Sequence, residues 1–311
     1  MLTVTPSYYK TFCCIADACI HNCCIGWEID IDKDTCARYQ AEAGTFGDRL
    51  RTQIEGDDPP HFRLGDRERC PFLNERNLCD IILNLGEDAL CTICTEHPRF
   101  HNELPGRIES GLGLCCEEAA RLILGQTDPV ALCISGTDEG IEDDILALRD
   151  EILIILQDRT LSIPDRIARM LARCDTDMPD TSIAQLAAFC LSLEQLDEAW
   201  TSLLTRLQTH PPVNTASFDR HMVSRQTEYE QFLVYLVYRH MANAPDEREA
   251  AARACFAAFG YRLLHDLGAM LYAEQGDFTF ANQTELARLF SAEIEYAQEN
   301  TDAVLDMLYT E

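Results

Sequence analysis

The stretch CCIADACIHNCCIGWEIDID, Cys13 to Asp32, places five cysteines within twelve residues, and the role of those thiols decides how the N-terminal part of the chain is built. Disulfides, buried thiols and a metal cage are the three readings to separate. Adjacent cysteines have Cα atoms ~3.8 Å apart across a trans peptide, closer than the ~4.4–6.8 Å usual in a disulfide. The pairs Cys23–Cys24 and Cys115–Cys116 are therefore not expected to close on themselves.

Working outward, 12 of the 16 cysteines precede residue 117: Cys13, Cys14, Cys19, Cys23, Cys24, Cys36, Cys70, Cys79, Cys91, Cys94, Cys115 and Cys116. Cys133, Cys174, Cys190 and Cys255 stand singly and read as core thiols, since free cysteine behaves as a small buried hydrophobe. The chain has 311 residues and is 47% hydrophobic, so it can build a core without disulfides. Its first residues, MLTVTPSYYKTF, lack the basic and apolar regions of a signal peptide, and no apolar run approaches the ~18 residues of a membrane span. The expectation is a cytoplasmic protein with no membrane association. In that reducing compartment cysteines serve more often as ligands than as disulfides.

With 53 acidic against 25 basic residues the net charge is −28, which disfavours nucleic acid as a partner because phosphate binding needs a basic footprint. An acidic surface instead suits solvent or a lysine-bearing protein.

The organisation follows the cysteines. Residues 1–125 carry Gly/Pro/Asp punctuation and few long periodic segments, which reads as a cysteine-rich, metal-organised domain. After the turn-rich 126–140 segment the pattern becomes helical. In IEDDILALRDEILIILQ, Ile141, Ile145, Leu148, Ile152 and Ile155 form one apolar face, and further helices are expected near 164–174, 181–208, 216–242, 246–274 and 283–309. Ser162-Ile163-Pro164 and Asn282-Gln283-Thr284 resemble helix starts. No strand-alternating run of any length stands out. The fold class expected is mainly α, a metal-organised N-terminal region followed by an α-helical bundle over 140–311.

Ligand spacing narrows the metal. Cys91-x2-Cys94 is the only C-x2-C knuckle, and with His97 and His101 it offers one zinc set. Cys14-x4-Cys19-x3-Cys23 matches neither ferredoxin spacing. The C-x3-C-x2-C triad of radical S-adenosylmethionine enzymes fails because Gly26 stands where its third cysteine would be. A generic iron–sulfur site and a zinc site both remain open.

Several ordered motifs then carry a resemblance: Thr5-Pro6-Ser7-Tyr8; Phe12, Cys14, Cys19, Cys23, Cys24, Gly26 and Trp27 as F-x-C-x4-C-x3-C-C-x-G-W; C-P-F-L-x5-C from Cys70 to Cys79; L-G-x3-L-x3-C-x3-P-R from Leu85 to Arg99; and Cys116. Over roughly the first 120 residues the chain resembles the flagellin lysine N-methylase family, FliB, with its zinc- or iron-chelating CxxCxxCC-type domain. The resemblance implies metal ligands at Cys14, Cys19, Cys23, Cys24, Cys70, Cys79, Cys94 and Cys116, and leaves out Cys13, Cys91 and Cys115, where the family tolerates serine. Eight thiolates suffice for a [4Fe–4S] cluster with a second site, or with zinc as the alternative for two sites of four. Trp27 and Phe72 would cover the site against solvent, and Arg99 would donate to a cluster sulfur or a substrate carboxylate.

The implied activity is methyl transfer from S-adenosylmethionine to lysine amines of flagellin or another lysine-bearing protein. Gly111-Leu112-Gly113 lacks the third glycine and the strand–helix context of a dinucleotide loop, so no donor-binding residue or catalytic base is legible. The competing expectation, from a different class, is a zinc- or iron-chelating binding or chaperone module without catalysis.

Overall fold

A computed structural model describes residues 1–311 apart from 138, 142, 310 and 311; the last three fall within the expected 140–311 segment and lie outside the described residues. The elements begin with β1 (Leu2–Pro6), α1 (Lys33–Ala41), α2 (Gly44–Thr52), β2 (Ile54–Glu55), β3 (His61–Phe62), α3 (Asp80–Leu85), α4 (Thr92–Glu96), β4 (Arg99–Leu104), β5 (Arg107–Leu112), α5 (Glu117–Leu124) and β6 (Leu132–Gly136). Helices follow: α6 (Asp144–Leu156), α7 (Ile163–Arg173), α8 (Ile183–Leu191), α9 (Glu198–Thr209), α10 (Ala216–Met222), α11 (Gln226–Met241), α12 (Glu247–Gln275), α13 (Phe280–Phe290) and α14 (Gln298–Leu308). The chain divides into two compact units, Cys13–Phe100 and Met1–Phe12 with His101–Glu311. No helix among the described residues is long and apolar enough to cross a membrane.

The Cys13–Phe100 unit is built around Ile29, Ile31, Tyr39, Leu50, Phe62, Phe72, Leu73 and Ile81, with Cys70 and Cys91 buried among them. Its helices are short, and one side chain starts two of them. Asp32 caps α1 by accepting from the Thr35 amide at 2.9 Å, and it also accepts from the Thr92 amide at 2.8 Å, at the start of α4. Those hydrogen bonds outweigh the cost of desolvating the carboxylate and hold its pKa down to about 2.

The other unit contains most of the helices, α5 to α14. Helix α11, QTEYEQFLVYLVYRHM, is apolar over most of its circumference and accordingly buried on nearly every side. It packs on α12, a 29-residue helix that ends at Gly276 in the left-handed region (φ 77°). Gly268 of α12 is where the Phe218 ring comes closest; a β-carbon there would meet Phe218 Cζ at 2.7 Å and Phe278 Cζ at 3.2 Å.

Several expectations need correction. A four-stranded sheet, ordered β4-β5-β1-β6, forms in this unit, with β1 parallel to β5 and antiparallel to β6. Its strands are short, and the buried part of β5 includes Glu109 and Ser110. Polar residues there erase the alternation that would have announced a strand. Glu109 is fully buried because Arg107 and Arg149 neutralise it.

Segment 181–208 breaks between α8 and α9, segment 216–242 is interrupted by a 3₁₀ turn at Val223–Arg225, and segment 283–309 by a π-helical turn at Ser291–Glu295. Ser162 does cap α7, but α13 starts earlier than expected: Thr279 is its cap and Asn282 closes the capping box. Ile141 lies outside α6 and is 51% exposed; the buried stripe is instead Leu146, Arg149, Ile152, Leu153 and Leu156, with Leu148 beside it. Of the four single cysteines, Cys190 and Cys255 are buried and Cys174 half-buried. Cys133 is exposed, on an edge strand that is mostly open to solvent.

Candidate metal centre

The thiols of the Cys13–Phe100 unit are gathered by short-range backbone pairing. The Cys70 amide donates to the Cys24 carbonyl at 2.9 Å, fastening the end of the cysteine-rich loop to the Cys70-Pro71-Phe72-Leu73 segment. That segment turns back on itself. Asn74 accepts from the Arg76 and Leu78 amides, Asn77 takes the left-handed conformation (φ 56°), and an isolated bridge pairs Leu73 with Cys79, the residue that starts α3. Cys91 and Cys94 lie at the cap and within the first turn of α4, their sulfurs 3.4 Å apart.

Cys24, Cys79 and Cys94 pack half-buried against the core that contains Cys70 and Cys91, and Cys36 joins them from α1. Six thiols, Cys23, Cys24, Cys70, Cys79, Cys91 and Cys94, are close enough to feel one another. Cys24 is raised chiefly by sharing a hydrogen bond with Cys23, with further contributions from Cys70 and Cys79; Cys94 is raised chiefly by Cys91, with Cys24 and Cys70 adding to it. Each pair shares a hydrogen bond between its sulfurs, and the partners Cys23 and Cys91 move down as Cys24 and Cys94 move up. Desolvation pushes Cys70 up to about 11 and raises Cys79.

The remaining expected residues are placed as follows. Cys14 is exposed and accepts from the Ala16 amide at 3.4 Å, while the half-buried Cys19 donates to the His21 carbonyl at 3.2 Å. Trp27 donates from Nε1 to the Cys23 carbonyl at 2.6 Å, with its ring 6.2 Å from that of His97. His97 neighbours Cys23, and its Nε2 is solvent-excluded with no hydrogen-bond partner among the described residues. Phe72 is fully buried, T-shaped against Phe62. Arg99 donates to the Thr95 carbonyl at 3.1 Å, just beyond α4. Cys116 belongs to the other unit, where it stands at the N-cap position of α5. His101 belongs there too, with Nδ1 2.7 Å from Ser110 Oγ.

Cys91 is the residue the family pattern passed over. Its signal was the lone C-x2-C knuckle, and its burial places it beside Cys94 rather than at the surface. The donor set fits a thiophilic group. Closely placed thiols in an apolar core repel one another once ionised, and a thiophilic cation such as iron or zinc would neutralise them. Cys24, Cys70, Cys79, Cys91 and Cys94 would hold it, with Trp27 and Phe72 on its apolar flanks.

A cysteine-gathered unit joined to an α-helical unit with a small sheet is the class of protein that fold and site define. A profile of the FliB lysine N-methylase C-terminal domain matches residues 194–311. The lysine-N-methylase of Salmonella typhimurium (strain LT2) is 32% identical over 145 residues, covering 42% of this chain and 35% of that protein. The lysine-N-methylase of Salmonella choleraesuis (strain SC-B67) gives the same figures. The flagellar biosynthetic protein FliU of Salmonella muenchen is also 32% identical over 145 residues, which cover 42% of this chain and 82% of FliU. No solved structure matches. The chain belongs to the FliB lysine N-methylase family, and its match spans about a third of the length of the two curated lysine-N-methylases.

Proposed function

We propose that this protein is a cytoplasmic, S-adenosylmethionine-dependent protein lysine N-methyltransferase that acts on flagellin or another lysine-bearing protein and depends on a cysteine-ligated iron–sulfur cluster. The observation that carries the metal part is the gathering of Cys24, Cys70, Cys79, Cys91 and Cys94 in one apolar core. Kinship with proteins named lysine-N-methylase and FliU supports the reaction and the flagellar substrate class. The acidic surface, net charge −28, favours approach of a lysine-bearing partner.

In the transfer, a neutral lysine amine attacks the sulfonium methyl carbon. The carbon–sulfur bond breaks to leave the thioether, and the resulting methylammonium gives up its proton to solvent. The chain must therefore desolvate the amine and hold it in line with the donor. A bound cluster supplies cationic iron that neutralises the packed thiolates. Around it, the core hydrophobes Phe62 and Phe72 exclude water, and Asp32 fixes the start of the helix bearing Cys94.

Anaerobic purification tests this reading. The expected product is brown, contains iron and acid-labile sulfide, and transfers labelled methyl groups to lysines of flagellin. A colourless protein with stoichiometric zinc would reverse the metal assignment. Iron-loaded protein without methyl transfer would support a chelating binding module.

A further inference from the structure

Residues Glu28-Ile29-Asp30-Ile31 alternate in burial. Ile29 and Ile31 are each 1% exposed in the core, so Glu28 and Asp30 project away from it. An isolated antiparallel bridge pairs Asp30 with His61, while Phe62, the next residue, enters the core. One ligand atom each from Glu28, Asp30 and His61 consequently lies within 4.8 Å of the others. Glu28 Oε2 is 3.6 Å and Glu55 Oε1 3.8 Å from His61 Nε2.

Two further features point to a ligand. His61 Nδ1 is 3.3 Å from the Pro59 carbonyl, and donation there leaves the Nε2 lone pair facing the carboxylates, the arrangement of a metal-ligating imidazole. Asp30 Oδ1 is solvent-excluded and has no hydrogen-bond partner among the described residues, a costly state for a carboxylate oxygen that a cation at this carboxylate would relieve. Arg63 Nε, 2.9 Å from Glu55 Oε2, offsets the charge of Glu55. Glu28 and Asp30 then leave two negative charges, which match one divalent ion. The ring lies close against the Gly56 backbone, where a β-carbon would meet His61 Cε1 at 2.6 Å.

We propose that Glu28, Asp30 and His61 form a second metal site, separate from the thiols, for a divalent cation that prefers oxygen and nitrogen ligands, such as Mn²⁺. Hard carboxylate donors with one imidazole suit such an ion, whereas the thiol set selects softer metals. The bound ion would tie the 28–31 segment to the β2–β3 hairpin.

The test is Mn²⁺ titration of the reduced full-length chain, read by electron paramagnetic resonance. The free-ion signal is expected to be quenched by one ion per chain, with a nitrogen hyperfine coupling from His61. Glu28→Gln and His61→Gln should each weaken binding ~10-fold or more, and His61→Gln should also remove the nitrogen coupling. Cys94→Ser should leave Mn²⁺ binding unchanged, which separates this site from the thiol centre. Because the Glu28 side chain is 62% exposed, Glu28→Gln remains informative if the His61 variant fails to fold. Absence of binding at millimolar Mn²⁺ would overturn the site, as would binding that survives Glu28→Gln without nitrogen coupling, the mark of an adventitious ion only on an acidic surface.

Discussion

The sulfurs of Cys91 and Cys94 lie 3.4 Å apart, one fully buried and the other packed half-buried against the same core. That is too far for a bond of ~2.05 Å, and close enough for both to serve one metal group. The family pattern selects Cys94 and passes over Cys91, so the geometry gives a sharper test than the motif. Cys91→Ser and Cys94→Ser are each expected to lose most of the bound metal, measured as iron per chain after anaerobic purification. Cys174→Ser and Cys255→Ser, remote in sequence and in the other unit, should keep it and lose about 1 kcal/mol or less of stability. Full metal content in Cys91→Ser would return Cys91 to the role of a core thiol.

Asp32 joins the caps of α1 and α4, so its loss should be felt at both helix starts. Asp32→Ala is expected to cost about 1 kcal/mol for the α1 cap alone, and more once the Thr92 contact is counted. Urea denaturation gives the total. Hydrogen exchange at the Thr35 and Thr92 amides gives its distribution, and protection retained at Thr92 would dissociate the two caps.

Within α12, Gly268 tests packing against helix propensity. Alanine gains up to about 1 kcal/mol of propensity, but its β-carbon collides with Phe218, which is 1% exposed and stacked edge-on to Phe278. Overpacking costs about 1–3 kcal/mol, so Gly268→Ala should be net destabilising in thermal or urea unfolding. Adding Phe218→Leu should recover part of the loss. A more stable Gly268→Ala would show that the ring yields freely.

His265 supplies a pH dependence. Burial opposes its charge, but hydrogen bonds to Asp266 and to Asp219, the latter at 2.8 Å, outweigh that penalty and raise its pKa above the ordinary value. The aromatic rings of Phe218, Tyr229 and Tyr261 surround it and add no opposing charge at neutral pH. A raised folded pKa means stability that is complete below the unfolded value near ~6.5 and lost as pH rises through the folded one. The stability difference between the wild type and His265→Asn should therefore shrink as pH rises above about 6.5; growth with pH would contradict the assigned ion pairs.

The sequence by itself determined the unequal distribution of cysteines, the helical periods beyond residue 140 and the ordered motifs from Thr5 to Cys116. Each is a local or one-dimensional property, readable without knowing what lies across the fold. Tertiary structure decided the rest. Glu109 and Ser110 could occupy a buried strand only because Arg107, Arg149 and neighbouring strands meet them there, so β5 left no alternating signature. The π-helical turn at Ser291–Glu295 depended on partners distant in sequence: Glu293 in that turn accepts from the Leu196 and Asp197 amides. Cys91 looked like a replaceable neighbour of Cys94 until burial put both sulfurs in one core. His61 came to face Glu28 and Asp30 through a single backbone bridge. Spacing along the chain reveals which residues can be ligands; only the folded backbone, by fixing which side chains converge, decides which of them share a site.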